Sequence, residues 1–100
     1  MPKKLSPITP GEILLKEFME PLGVSQNKLA RDIDVPVGRI SDIIRKKRAI
    51  TPDTALRFSL YFGTTPEFWI NLQSRYDLKL AKRNLLPAIQ KGIRPLAQPA

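Results

Sequence analysis

Three Thr-Pro pairs constrain the fold of this chain more than any other feature of its sequence. A Thr hydroxyl accepts hydrogen bonds from the unpaired N–H groups of a helix's first turn. Pro suits the next position because its missing N–H would be unpaired there anyway. The pairs therefore predict helices that begin after Thr9, Thr51 and Thr65. Glu12, three residues after Thr9, completes a capping box in sequence.

Apolar residues recur at helical spacing after each of these positions and in two shorter segments between Thr9 and Thr51. No segment shows the sustained alternation of a strand, so the predicted fold class is all-α. We expect five helices, at about residues 10–20, 26–33, 37–47, 52–62 and 66–86.

Pro and Gly residues should end several of these helices. We expect the first helix to stop at Pro21 and Gly23, the fourth at Gly63, and the extended last helix at Pro87. The apolar face of the first helix should consist of Leu14, Leu15, Phe18 and Leu22.

The segment at about 26–45 has the apolar pattern of a helix-turn-helix, in which the second helix enters the major groove of DNA. The residues that should pack its two helices together are Leu29, Ala30, Ile33, Val35, Ile40 and Ile43. Asp34 lies in the turn where such motifs usually have Gly, and Asp tolerates the positive φ that is needed there. A helical hairpin that does not bind DNA is the alternative.

The outward face of the second motif helix carries the candidates for contacts with base edges: Val37, Gly38, Arg39, Ser41 and Asp42. Arg39 could donate a bidentate pair to guanine, and Val37 could contact a thymine methyl group. Gly38 would let the backbone approach closely, while Asp42 could accept from cytosine or orient Arg39. Each of these residues could instead be an ordinary exposed residue.

A basic run follows, and the net charge of +8 and pI near 10.2 also favour a phosphate-rich partner. The candidates for phosphate contacts are Arg45, Lys46, Lys47 and Arg48, together with Ser25, Gln26 and Asn27 at the start of the second helix. The latter three can donate beside a helix N-terminus. A solvated charged face is the alternative for the basic run.

The sequence contains no Cys and no His, which excludes thiol nucleophiles, zinc sites of the usual type and the commonest general base. Its nine carboxylates form no acid and base pair, and its five glycines form no phosphate-binding loop. We therefore expect no enzyme activity, cofactor or metal. A signal peptide and a membrane-spanning run are also lacking, so we expect a soluble cytoplasmic protein with no membrane partner.

Two long stretches, TPGEILLKEFMEPLGVSQNKLARDIDVP and ITPDTALRFSLYFGTTPEFWINLQSRYDL, resemble the HigA-type antitoxins of bacterial toxin–antitoxin modules. The resemblance covers about residues 7–80 and includes the PGEIL motif, the Ser-Gln pair at 25–26 and the TTPEFWINLQ run.

This resemblance implies a dimeric, five-helix, lambda-repressor-like domain that binds double-stranded DNA at its own promoter palindrome. It also implies a protein partner, a HigB toxin, which is a small RelE-like ribonuclease that cleaves mRNA and is silenced in the complex. A solitary helix-turn-helix regulator without a toxin is one alternative. A protein-interaction module that does not bind DNA is another.

The C-terminal half carries two further candidate surfaces. A dimer interface or simply core packing is expected for Phe68, Trp69, Leu72 and Tyr76. A second basic patch consists of Lys79, Lys82, Arg83, Lys91 and Arg94. It could meet DNA flanks or an acidic face of the toxin, or remain solvated. Overall we expect a flexible arm at 1–8, the helix-turn-helix domain at 9–90 and a loose tail at 91–100.

Overall fold

The structure is a computed structural model that describes residues 7–97, so residues 1–6 of the predicted arm and 98–100 of the predicted tail lie outside the described residues. Within 7–97 there are six helices and no strand, which confirms the all-α class. After α1 at residues 10–22 come α2 (Gln26–Asp32), α3 (Val37–Ile44), α4 (Pro52–Phe62), α5 (Pro66–Asn84) and α6 (Leu86–Gly92).

Helix α1 is continuous but changes its winding: α-helical Pro10–Ile13 and Glu20–Leu22 flank a π-helical segment, Leu14–Met19. The predicted capping box of Thr9 and Glu12 is present. The predicted stop at Pro21 is wrong, because the wider π turn ends just before Pro21 and the chain tolerates Pro in the short turn that follows. The helix instead ends at Gly23, which adopts a left-handed φ of 65°.

The core lies where α1, α4 and α5 meet the helix-turn-helix. Its fully enclosed large side chains include Trp69 and Phe58, whose ring centroids lie 5.0 Å apart. The half-buried Phe18 of α1 packs 4.9 Å from the Trp69 ring. Leu14, Leu15 and Phe18 point inward as expected, but Leu22 is 63% exposed, because it lies in the final turn of α1 beyond the core.

The C-terminal part differs from the sequence prediction. Helix α5 ends at Asn84 rather than near residue 86, and a separate short helix α6 follows. Pro87 follows the end of α5 by three residues and occupies the first turn of α6, where a missing N–H costs nothing. Residues 7–97 therefore contain six helices rather than five, and the part of the predicted tail at 93–97 has no regular structure.

Candidate nucleic-acid interface

The turn between α2 and α3 is built by a left-handed residue, as the sequence predicted. Asp34 has a φ of 60°. Its N–H donates to the Arg31 carbonyl at 3.3 Å, and the Val35 N–H donates to the Ala30 carbonyl at 3.0 Å. These two bonds are those of a Schellman motif, which ends α2 and directs the chain into α3.

Helix α3 is fixed from beneath by its apolar side. Ile40 and Ile43 are buried in the core, together with Leu29 and Ala30 of α2. The predicted packing of the two motif helices is therefore confirmed. Because the apolar side of α3 is held in this way, its polar side is left on the surface.

Gly11 is a positioning residue that the sequence analysis missed. A Cβ at this position would lie 2.3 Å from the Ile43 carbonyl oxygen and 2.8 Å from the Ile44 Cα, both of which are backbone atoms. The backbones of α1 and α3 thus approach each other more closely than any side chain would allow. The signal was present in the PGEIL motif, since a Gly just inside a capped helix has no other need.

The side chains at the N-terminal end of α3 differ in exposure. Val37 and Gly38 are exposed, and a Cβ placed on Gly38 would have no described atom within 4 Å apart from its chain neighbours and the backbone of α3 itself. Ser41 is half-buried, and its hydroxyl donates to Gln26 Oε1 at 2.7 Å. This bond ties the predicted base-contact helix to the start of α2 and leaves the Gln26 amide N–H₂ able to donate to a phosphate.

Arg39 and Asp42 each lie beside an opposite charge. Arg39 Nη1 donates to Asp53 Oδ1 at 2.7 Å, so its carboxylate partner belongs to α4. Asp42 Oδ2 lies 3.9 Å from Arg48 Nη2. The carboxylate bonded to Arg39 is therefore Asp53, and Asp42, which the sequence suggested for this position, is paired with Arg48. Hydrogen bonds from Arg57 and then from Arg39 lower the pKa of the Asp53 carboxyl, so it is anionic at neutral pH.

The basic run lies on a turn rather than on the helix. We expected α3 to reach about residue 47, but it ends at Ile44, because Lys46 adopts a left-handed φ of 68°. The Lys46 and Lys47 N–H groups donate to the Ile43 and Asp42 carbonyls at 3.2 and 2.8 Å, which is a second Schellman motif. All four side chains of the run, Arg45, Lys46, Lys47 and Arg48, are exposed.

The other predicted phosphate contacts lie at the start of α2. Ser25 is the N-cap, and its hydroxyl accepts from the Lys28 N–H at 3.1 Å. Asn27 is exposed and Gln26 is half-buried. The structure thus places the start of α2, through the Gln26–Ser41 bond, against the side of α3.

The four candidates for a dimer contact or core packing on α5 divide between core and surface. Trp69 is fully buried, and its indole N–H donates to Thr64 Oγ1 at 2.7 Å. Phe68 is 36% exposed and packs edge-on against Trp69 with centroids 5.0 Å apart. Leu72 and Tyr76 are half-buried. Of the four, Phe68 therefore offers the most surface to another molecule.

Within residues 7–97, no group of three or more acidic, His or Cys side chains is placed to hold a metal ion. In that same part of the chain, no helix is both long and apolar enough to cross a membrane.

Comparisons with known proteins agree with this geometry. A family model described as Helix-turn-helix matches residues 15–69. Virulence-associated protein I of Dichelobacter nodosus is 47% identical over 77 residues, which are 77% of this chain and 71% of that protein. Antitoxin HigA-1 of Vibrio cholerae is 34% identical over 93 residues, which are 93% of this chain and 87% of that protein.

A solved structure of the Pseudomonas aeruginosa antitoxin HigA with the higBA promoter is also similar. It matches at a TM-score of 0.87 and 42% identity, and the match covers 91% of this chain and 99% of that one. This likeness extends beyond the helix-turn-helix to nearly the whole described fold. The chain therefore belongs to the HigA-type antitoxin family of helix-turn-helix DNA-binding regulators.

Proposed function

We propose that this protein is the antitoxin of a type II toxin–antitoxin module, which represses its own promoter and neutralises a HigB/RelE-like, mRNA-cleaving toxin. The observation that carries the DNA part is the placement of α3. Its inward side is buried, its outward N-terminal end is accessible, and the basic run projects from the turn at its C-terminal end. The similar HigA of P. aeruginosa was solved with the higBA promoter, which supports the same role here.

Base contacts come from the N-terminal end of α3 and phosphate contacts from its two sides. We assign readout of bases to Val37, Gly38, Arg39, Ser41 and Asp42. The phosphate contacts are assigned to Ser25, Gln26, Asn27, Arg45, Lys46, Lys47 and Arg48. Phosphate contacts orient a protein on the duplex, while contacts with base edges give the sequence preference.

The protein acts as a homodimer on a palindrome. Helix-turn-helix dimers present two recognition helices about one helical turn, roughly 34 Å, apart. Phe68 is the most exposed of the four dimer candidates on α5. A series of mobility-shift assays with the protein's own promoter tests this proposal. The palindrome should be bound cooperatively, and log K should fall with log salt by about 0.9 for each phosphate contacted. Equal affinity for an isolated half-site would contradict the dimer.

Toxin neutralisation needs a surface separate from α3 if the complex of antitoxin and toxin also binds the operator. The triple variant Arg39→Ala, Lys46→Ala and Lys47→Ala should therefore lose operator binding and still neutralise the toxin. Growth rescue in cells that co-express the neighbouring toxin gene measures this, with a pull-down of the complex as a second readout. Loss of rescue by a correctly folded triple variant would show that α3 or the turn after it also contacts the toxin. If the unmutated chain bound no neighbouring toxin, a solitary repressor would remain.

A further inference from the structure

Arg39, the side chain best suited to recognise a guanine, is not free in this structure. Its side chain is 27% exposed, and its Nη1 donates to Asp53 Oδ1 at 2.7 Å. A guanidinium has five N–H donors in a planar fork. A single carboxylate contact can therefore hold one edge of the fork and leave donors for a base.

Asp53 is itself fixed by a second arginine. Arg57 Nε donates to the same Asp53 Oδ1 at 2.8 Å, from one turn further along α4. Arg57 Nη1 also donates to the Ile33 carbonyl at 2.7 Å and lies 3.3 Å from the Asp34 carbonyl oxygen. These two carbonyls belong to the turn of the helix-turn-helix. The chain of contacts thus joins the turn, α4 and α3.

We propose that Asp53 is a positioning residue for base recognition: it holds the Arg39 guanidinium at the position from which it meets the base edge. This inference rests on the proposed function, because it assumes that Arg39 contacts DNA. An arginine held in advance loses less side-chain freedom on binding. Released from Asp53, Arg39 can turn to any nearby phosphate, which would give affinity without sequence preference.

The carboxylate should also act against non-specific binding. Asp53 offsets part of the positive charge of Arg39 and Arg57, which both donate to it, and so weakens their attraction for any phosphate. Removing it should raise affinity for unrelated DNA, while the loss of the guanidinium's orientation lowers selectivity for the operator. A purely structural role would instead weaken both affinities together.

The test is a double-variant cycle in the full-length protein, with the chain's own promoter fragment and a scrambled duplex of equal length. Asp53→Ala and Asp53→Asn should each lower the ratio of operator to scrambled affinity about tenfold. In the Arg39→Ala background, Asp53→Ala should change that ratio less than about twofold, because the residue that it positions is gone.

Asp32→Ala is the matched control. Asp32 is also a surface carboxylate with two hydrogen-bonding partners, Lys28 and Tyr61, but neither partner lies on α3. Its removal changes the net charge equally and should leave the ratio within about twofold. Circular dichroism and thermal melting establish that each variant is folded.

Two results would overturn the inference alone: an unchanged ratio in both Asp53 variants, or an equal loss with and without Arg39. If the unmutated protein does not distinguish its promoter from scrambled DNA, the proposed function fails first, and this inference fails with it. A cycle that shows the expected dependence on Arg39 supports both.

Discussion

Helices α3 and α6 have nearly the same length, eight and seven residues, but they are held in opposite ways. Ile40 and Ile43 of α3 are buried in the core. Its Arg39 and Ser41 side chains bond to α4 and α2. In α6 no residue is buried, and its apolar side chains, among them Ile89 at 49% exposure, face outward. A surface that must present side chains at fixed positions needs the first arrangement, because α3 cannot shift without disturbing the core.

Removing one isoleucine side chain from each helix tests whether α3 is held more firmly than α6. Ile43→Ala should lower the free energy of unfolding by about 3 kcal/mol, because it leaves a cavity in the core. Ile89→Ala should cost less than about 0.5 kcal/mol, because the side chain is half exposed. Urea denaturation followed by circular dichroism measures both. Equal losses would mean that α6 is held as firmly as α3.

Two glycine substitutions distinguish the close approach of α1 to α3 from the helix propensity of α3 itself. Gly11→Ala should cost about 2 kcal/mol, since its Cβ would meet the backbone of α3 at Ile43. Gly38→Ala should instead stabilise by about 0.5–1 kcal/mol, because its site is open and Ala is the better helix former. Thermal melting of the two variants measures both changes in stability. A stable Gly11→Ala protein would contradict the close approach of α1 and α3.

The sequence predicted α3 well because the residues that indicate this helix are close together in the chain. Two buried isoleucines at helical spacing, a turn residue that tolerates positive φ and a basic run all lie within a short segment. The end of α3 was placed too late because nothing in the run itself shows that Lys46 turns left-handed.

Other features depend on how distant segments pack. Arg39 and Asp53 are fourteen residues apart, and their ion pair forms only once α4 lies beside α3. The close approach at Gly11 likewise requires the α1 and α3 backbones to be in place. Helix α6 was missed for a local reason, since Pro87 stops one helix and starts another equally well.

A substitution at Lys46 distinguishes the role of this residue in ending α3 from its role in binding DNA. Lys46→Gly should stabilise the fold by about 1 kcal/mol, because Gly adopts a left-handed φ without steric cost. The same variant should reduce the salt dependence of DNA binding by about one unit, because one phosphate contact is lost. Melting temperature and a salt titration of one preparation provide both numbers. A destabilised variant would show that the lysine side chain matters to the fold.

Acid pH should slightly reduce the stability that Asp32 of α2 contributes to the fold. Hydrogen bonds from Lys28 and Tyr61 lower the pKa of Asp32, so its contribution to stability is present above the unfolded pKa near 3.9 and is lost as pH falls through the lower folded value. Asp32→Asn should therefore flatten the acid side of the stability profile. Melting curves between about pH 6 and 2 measure it. An identical acid limb in the variant would contradict the assignment.

The central claim is that α3 reads bases while the basic run binds phosphates, and one set of binding isotherms tests it. Operator and scrambled duplexes are titrated at several salt concentrations with the unmutated protein, Arg39→Ala and Lys47→Ala. Arg39→Ala should lose about 1–3 kcal/mol on the operator and relax the preference at one base pair. Lys47→Ala should weaken both duplexes alike and reduce the salt slope by about one unit. If both variants lost specific and non-specific binding in the same ratio, the division between readout and phosphate contact would be wrong.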